Sequence, residues 1–273
     1  MMKSQIQHIY KPSPSGGGAF YAWFSSMHTR VDILFCSAEA EEKLLSVVEA
    51  IYDLLHHLES IANYYDPGSE LAIVNRTAFS SPVSLSGELY DMIELCLAYH
   101  SKTLGCFDIT VHSENYNSDT IHSLCLSTQE HTLFFERPGV TINLSGFLKG
   151  YALDKIKLLL KTYQLEQALI NLGNSSVLAL GNPPSGRGWK VNDLLLHDAC
   201  LTTSGNDSNE RRHIISPHDA TLVEGRKQIA VVTKDGALGE ILSTGLFAAT
   251  PQQRAFLLKT FAPLILDHSL IGY

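Results

Sequence analysis

Between residues 39 and 61 apolar side chains recur every three or four positions. Leu44, Val47, Val48, Ile51, Leu54, Leu55, Leu58 and Ile61 form one stripe, which predicts an amphipathic helix. Just upstream, "MHTRVDILFC" (27–36) alternates apolar and polar positions, the period of a half-buried strand. A second amphipathic helix is predicted over 86–103. Ser86 suits its cap, Leu89, Ile93 and Leu97 face inward, and Gly105 closes it. Between the two, "ANYYDPGSELAIVN" (62–75) carries an Asp-Pro-Gly-Ser turn signal.

The pattern then shortens. "CFDITV" (106–111) reads as a brief strand, residues 112–131 as a polar loop, and "HTLFFERPGVTINL" (131–144) as two strands around Pro-Gly. A third helix is predicted over 149–163. "QALINLGNSSVLALG" (167–181) reads as strand, glycine turn, strand, followed by a Pro/Gly loop at 181–188. "WKVNDLLLHDACLTTSG", "RRHIISP" and "KQIAVVTKD" predict further strands. Residues 237–248 predict a helix, and a last helix and strand finish the chain. Helices and strands interleave without regular βαβ spacing and without repeats, so the predicted class is α+β.

The chain has 273 residues, 45% of them hydrophobic, enough for one large domain or two small ones. Residues 1–25 read as a flexible extension, because "SPSGGGAF" resembles a connector, and 26–273 as a single domain. The formal net charge is -8 and the pI about 5.8, with no cluster of Lys and Arg. That excludes nucleic acid on electrostatic grounds. An anionic ligand would have to be held by a helix N-terminus, one or two lysines, or a divalent cation. Five scattered cysteines without CxxC spacing predict reduced thiols rather than disulfides or zinc. No signal-peptide core and no run of ~18 apolar residues is visible, so a cytoplasmic protein without integral membrane segments is expected.

Several stretches carry candidate chemistry. In "TINLSGFLKGYALD" (141–154), Gly146 and Gly150 flank Lys149 at a helix start. Glycine allows close backbone approach, and free N–H groups with a nearby cation suit a phosphate. The spacing is neither a Walker A loop nor a GxGxxG fingerprint, and a solvated lysine fits it equally. In "GEILSTG" (239–245), Glu240, Ser243 and Thr244 share one helix face, an oxygen set suited to Mg²⁺ or to local capping. His213, beside Arg211 and Arg212, is a candidate general base among twelve histidines. Asp108 follows an aromatic in "GCFDITV". The Tyr64-Tyr65 pair could stack on a flat ring or simply pack.

Taken in order, these pieces resemble the ApbE family of FAD:protein FMN transferases. The family's Met-Gly-Thr appears as Met27-His28-Thr29. Its S-E-L-x-x-x-N element appears as Ser69, Glu70, Leu71 and Asn75, preceded by Tyr65. Its G-x-F-D-x-T is "GCFDIT", and its D-L-G-G-I-A-K-G-Y-A-x-D is "NLSGFLKGYALD". Its N-L-G-G is "NLGN", its T-S-G is Thr203-Ser204-Gly205, its H-I-I-D-P is "HIISP", and its A-D-A-L-x-T-A is "GEILSTG". The likeness runs from about residue 27 to 250.

The resemblance implies a two-lobed, T-fold-related α+β architecture that binds FAD between its lobes. It implies Mg²⁺-dependent transfer of FMN from FAD to a Thr or Ser hydroxyl of a target protein, with release of AMP. By the same likeness, Met27, Tyr65, Cys106, Phe107, Asp108, Asn143, Lys149 and Ile214 contact the flavin nucleotide. Gly146, Glu240, Ser243 and Thr244 hold the metal, and His213 and Lys149 carry catalysis. The sequence departs from the family at several points. Asn143 replaces an aspartate, Glu240 replaces a shorter carboxylate, and Ser216, Ala220 and His28 stand at Asp, Gly and Gly positions. The segments 111–141 and 189–202 are short. Two alternatives follow: a non-catalytic relative that binds a flavin nucleotide or a partner, and a hydrolase that turns FAD into FMN and AMP.

Overall fold

The computed structural model describes residues 5–14, 17–184, 186–206, 214–225 and 227–271. Its first elements are β1 (Gln7–Pro12), β2 (Gly18–Ser26), β3 (Thr29–Ser37), α1 (Glu41–Ala62) and α2 (Glu70–Thr77). Then come β4 (Val83–Ser84), α3 (Gly87–Lys102), a 3-10 turn (Thr120–Ser123), β5 (Leu124–Ser127), β6 (Thr132–Phe135) and α4 (Leu148–Thr162). Next are β7 (Ala168–Leu172), β8 (Ser176–Leu180), β9 (Trp189–Val191), β10 (Leu194–Leu196) and β11 (Ala199–Gly205). The chain closes with β12 (Gln228–Thr233), α5 (Gly236–Ala248), α6 (Pro251–Thr260) and β13 (Ile265–Ile271). The class is α+β, with six α-helices among the described residues and antiparallel sheets.

The chain forms two compact units. The first comprises residues 1–57, 149–202 and 232–239; the second comprises 58–148, 203–231 and 240–273. In the first, β1, β2, β3, β7, β8 and β11 lie side by side, each antiparallel to the next. One face of this sheet is fully buried at Phe20, Ala22, Val31, Ile33, Phe35, Ala168, Ile170 and Leu172. Helix α1 buries Leu44, Val47, Val48, Ile51 and Leu55, and Tyr52 meets Phe24 of β2 edge-on at 5.1 Å. The alternating pattern and the helical stripe thus share one core. β1 and the first eight residues of β2 belong to the region expected to be a flexible extension. They are paired strands instead, because β2 buries Phe20, Ala22 and Phe24 at alternate positions and the pairing satisfies the backbone groups of both strands.

In the second unit, α2 and α3 sit beside the small sheet β4-β6-β5. Helix α2 was not expected. Ser69 caps it by accepting the Ala72 N–H at 3.1 Å, and the Glu70 carboxylate then takes the Ser86 N–H at 2.6 Å and its hydroxyl at 2.7 Å. Ser86 in turn caps α3, as predicted. Two predicted strands are absent. "CFDITV" is a chain of turns, because Asp108 Oδ1 accepts the Thr110 N–H at 2.7 Å and its hydroxyl at 2.6 Å. After Pro138 no strand re-forms, because the Asn75 amide occupies both backbone groups of Ile142, at 2.8 Å each. The expected 112–131 loop contains the 3-10 turn and β5. "RRHIISP" lies partly outside the described residues, and Ile215 makes only an isolated bridge to Leu222.

The turn between β2 and β3 places Met27 at φ 51° and His28 at φ 55°. Two-residue hairpins of this hand favour glycine. A side chain in the left-handed region costs about 1–2 kcal/mol, and glycine returns about 0.5–1 kcal/mol of that through unfolded-chain entropy. H28G is therefore expected to stabilise the protein by roughly 0.5–1 kcal/mol, read as a raised urea midpoint at unchanged slope.

Candidate functional site

In the first unit three pieces of the predicted site meet. The hairpin 27–29 packs against the turn after β7. A methyl group on Gly173 (φ 65°) would lie 2.2 Å from Thr29 Oγ1, so only glycine fits there. The Gly173 N–H donates to the Arg30 carbonyl at 3.0 Å. Two residues on, the Ser175 hydroxyl accepts from the half-buried Lys149 ammonium. The lysine therefore sits beside the "NLGN" turn, with Met27 half-buried in the adjoining hairpin.

The glycine that follows Lys149 meets another helix. A methyl on Gly236 would fall 2.5 Å from the Gly150 carbonyl oxygen, so the first turns of α4 and α5 touch backbone to backbone. Asp154 completes this contact. Its two carboxylate oxygens accept the Gly236 N–H at 2.6 Å and the Ala237 N–H at 2.9 Å, the open donors of the α5 start. Burial pushes the Asp154 carboxyl above its ordinary value, and the two N–H bonds partly offset that. Gly239 is equally constrained, since a methyl there would meet the hydroxyls of Thr202 and Thr233 at 2.8 Å.

In the second unit α5 continues through Glu240, Ser243 and Thr244. Every residue of α5 is buried except Thr244, which is half-buried. The Ser204 hydroxyl lies 2.9 Å from that of Ser243 and 3.1 Å from that of Thr244. A methyl on the exposed Gly146 would sit 3.7 Å from Thr244 Oγ1. Gly146, Ser204, Ser243 and Thr244 thus come together, and Glu240 stands one turn back on the same helix face. The donors are all oxygen. Among the described residues no group of three or more His, Cys, Asp and Glu is arranged for a metal. Ser204 was visible in the sequence only as part of Thr-Ser-Gly; its hydroxyl joins the set because β11 runs alongside α5.

Asp108 is locked. Its side chain is fully buried, and besides Thr110 it accepts the Tyr116 hydroxyl at 2.9 Å and lies 3.4 Å from His100 Nε2. Burial alone would raise this carboxyl, but the His100 and Thr110 contacts outweigh it and hold it below the usual value. Burial, with the Asp108 charge beside it, drives the Tyr116 phenol upward. Cys106 and Phe107 are buried next to it, and burial lifts the Cys106 thiol to about 11, so it stays protonated at neutral pH.

Asn143 lies between two further groups. Its Oδ1 accepts the Ser145 N–H at 2.8 Å, and its Nδ2 is 3.5 Å from His112 Nδ1. The His112 ring is 5.7 Å from Tyr64, which meets the exposed Tyr65 edge-on at 5.1 Å. Burial lowers the His112 pKa. An amide serves the Ser145 turn as well as a carboxylate would, which accommodates the loss of the family's charge here. Ile214 is half-buried, its carbonyl accepting the Val223 N–H at 2.9 Å. Ser216 and Ala220 close the next turn, and Ala220 takes φ 57°, a conformation that suits the glycine expected there. His213, the expected general base, lies outside the described residues.

A family model described as the ApbE family matches residues 27–264. A protein named FAD:protein FMN transferase from Chlamydia muridarum is 26% identical over 247 residues, 76% of each chain. One of the same name from Chlamydia trachomatis serovar D is 24% identical over 257 residues, 80% of each chain. The fold matches the flavin transferase ApbE from Vibrio cholerae with a TM-score of 0.75 at 17% identity, covering 98% of this chain and 97% of that one. It matches the ApbE protein from Thermotoga maritima with a TM-score of 0.76 at 18% identity, covering 93% and 94%.

The depressed Asp108 carboxyl contributes stability above its unfolded value of about 3.9 and loses it as pH falls through the lower folded value. D108N is expected to cost roughly 3 kcal/mol at pH 7 and to flatten the acid limb of a stability-versus-pH curve, measured by urea melts from neutral to acid pH.

Proposed function

The chain belongs to the ApbE family, and on that footing we propose that it transfers FMN from FAD to a Thr or Ser hydroxyl of an acceptor protein and releases AMP. The carrying observation is the oxygen cluster at Gly146, where the one half-buried residue of α5, Thr244, meets Ser204 and Ser243. Its donors fit Mg²⁺, a hard cation that takes few protein oxygens and keeps several waters. Glu240, Ser243, Thr244 and the Gly146 backbone would hold it. Bound there, Mg²⁺ supplies charge neutralisation for a pyrophosphate and for the departing AMP.

The protein's own groups do the rest. Lys149, oriented by Ser175, offers a cation to the phosphates. Tyr65, exposed on its turn, and Met27 offer surface to the flat rings of the nucleotide. Asn143 holds the turn that leads into α4, and the buried Cys106, Phe107 and Asp108 and the half-buried Ile214 would meet the nucleotide. The acceptor hydroxyl forms a bond to the FMN phosphorus, the anhydride P–O bond breaks, and AMP leaves with the bridging oxygen. His213 takes the hydroxyl proton.

AMP release is to be measured by chromatography after mixing the protein with FAD, MgCl₂ and Thr- or Ser-containing peptides. Equal amounts of AMP and FMN-bearing peptide are expected, with activity lost on adding EDTA. T244V is expected to lower the rate by about 10²-fold or more. AMP with only free FMN would make the protein a hydrolase, and bound FAD with no AMP would make it a binder; either result overturns the proposal.

A further inference from the structure

Among the described residues β13 ends its sheet, with β12 on one side only. Such an edge presents a row of N–H and C=O groups, which proteins commonly guard with lysine, proline or a bulge. The β13 sequence, Ile-Leu-Asp-His-Ser-Leu-Ile, contains neither lysine nor proline. Its apolar residues are open to water: Leu266 is 51% exposed, Leu270 39% and Ile271 57%. Unlike β2 and β3, whose alternate residues are buried, β13 has no buried position at all.

The strand also reads nearly alike in both directions. Ile265 matches Ile271 and Leu266 matches Leu270 about His268, while Asp267 and Ser269 differ. A two-fold antiparallel pairing sets residue i opposite residue j of the other copy and j opposite i, so this near-symmetry puts apolar residues opposite apolar ones. The central N–H, that of His268, is turned to its own neighbour and donates to Asp267 Oδ1 at 2.8 Å.

We propose that β13 is a self-complementary docking edge that pairs antiparallel with β13 of a second copy of this chain, about a two-fold axis at His268. In that register Leu266 faces the partner's Leu270 and Ile265 the partner's Ile271. The Asp267 carboxylate exchanges its local bond for the partner's Ser269 hydroxyl, which frees the His268 N–H for the partner's His268 carbonyl. No carboxylate of β13 faces another across the ladder, and the two His268 rings face each other on the axis. Two copies of net charge -8 repel at long range, so raising the ionic strength strengthens the pairing. A single seven-residue ladder makes a reversible dimer rather than an obligate one.

Sedimentation velocity of the full chain over a concentration series tests this. A reversible monomer–dimer equilibrium that tightens with added NaCl is expected. L270D sets a carboxylate opposite the partner's Leu266, and H268P removes the central N–H. Each is expected to raise the dissociation constant by about tenfold or more, with an unchanged melting temperature. In a C125S background, which removes the exposed thiol of Cys125, H268C is expected to be captured as a dimer by a short bismaleimide, whereas K43C on α1 is not. A monomer at every concentration, a dimer indifferent to both substitutions, or equal capture at positions 43 and 268 would refute the pairing. Should either substitution unfold the chain, the crosslinking comparison decides alone.

Discussion

The backbone contact between the first turns of α4 and α5 is the constraint on which the Lys149 region of the first unit depends. Gly236 allows it, because a methyl there would fall 2.5 Å from the Gly150 carbonyl oxygen. Asp154 seals it by taking the first two N–H groups of α5 at 2.6 and 2.9 Å. A buried carboxylate is costly unless its oxygens find donors, and a helix start supplies both donors and a favourable dipole. Lys149 stands beside this contact, in the first turn of α4.

The second unit follows a similar rule, with side chains standing in for backbone partners. The Asn75 amide pairs with Ile142 as a neighbouring strand would, and this settles the segment that bears Asn143. Glu70 grips Ser86 and so ties the start of α2 to that of α3. Asp108 is satisfied by Thr110, Tyr116 and His100. Several residues of the family pattern therefore act on the fold, shaping the turns on which other residues stand. The departures fit the same view. Asn143 keeps an acceptor for Ser145, while His28 and Ala220 occupy left-handed positions that glycine would fill with less strain.

The long periodic segments could be read directly from the chain. The stripe of α1 and the alternation of β3 declare themselves because burial of one face imposes a period of 3.6 or 2 on the residues. The class, the helix near 237–248 and the Ser86 cap follow from the same local physics. The ordered set of short motifs pointed to the family, and residues 27–264 match it.

Tertiary structure decided what local pattern cannot encode. "CFDITV" alternates like a strand, yet Asp108 bends it into turns through Thr110, and no period reveals that bond. The stretch after Pro138 lacks a strand because a side chain sixty-seven residues away in sequence holds Ile142. The glycine after Lys149 looked like a place for a ligand, and it is where another helix touches. Ser204 joins the oxygen cluster because β11 carries it to 2.9 Å from Ser243. Periodicity reports which face of an element is buried, whereas a hydrogen bond or a close approach between distant segments depends on where the chain returns, and only the folded molecule determines that.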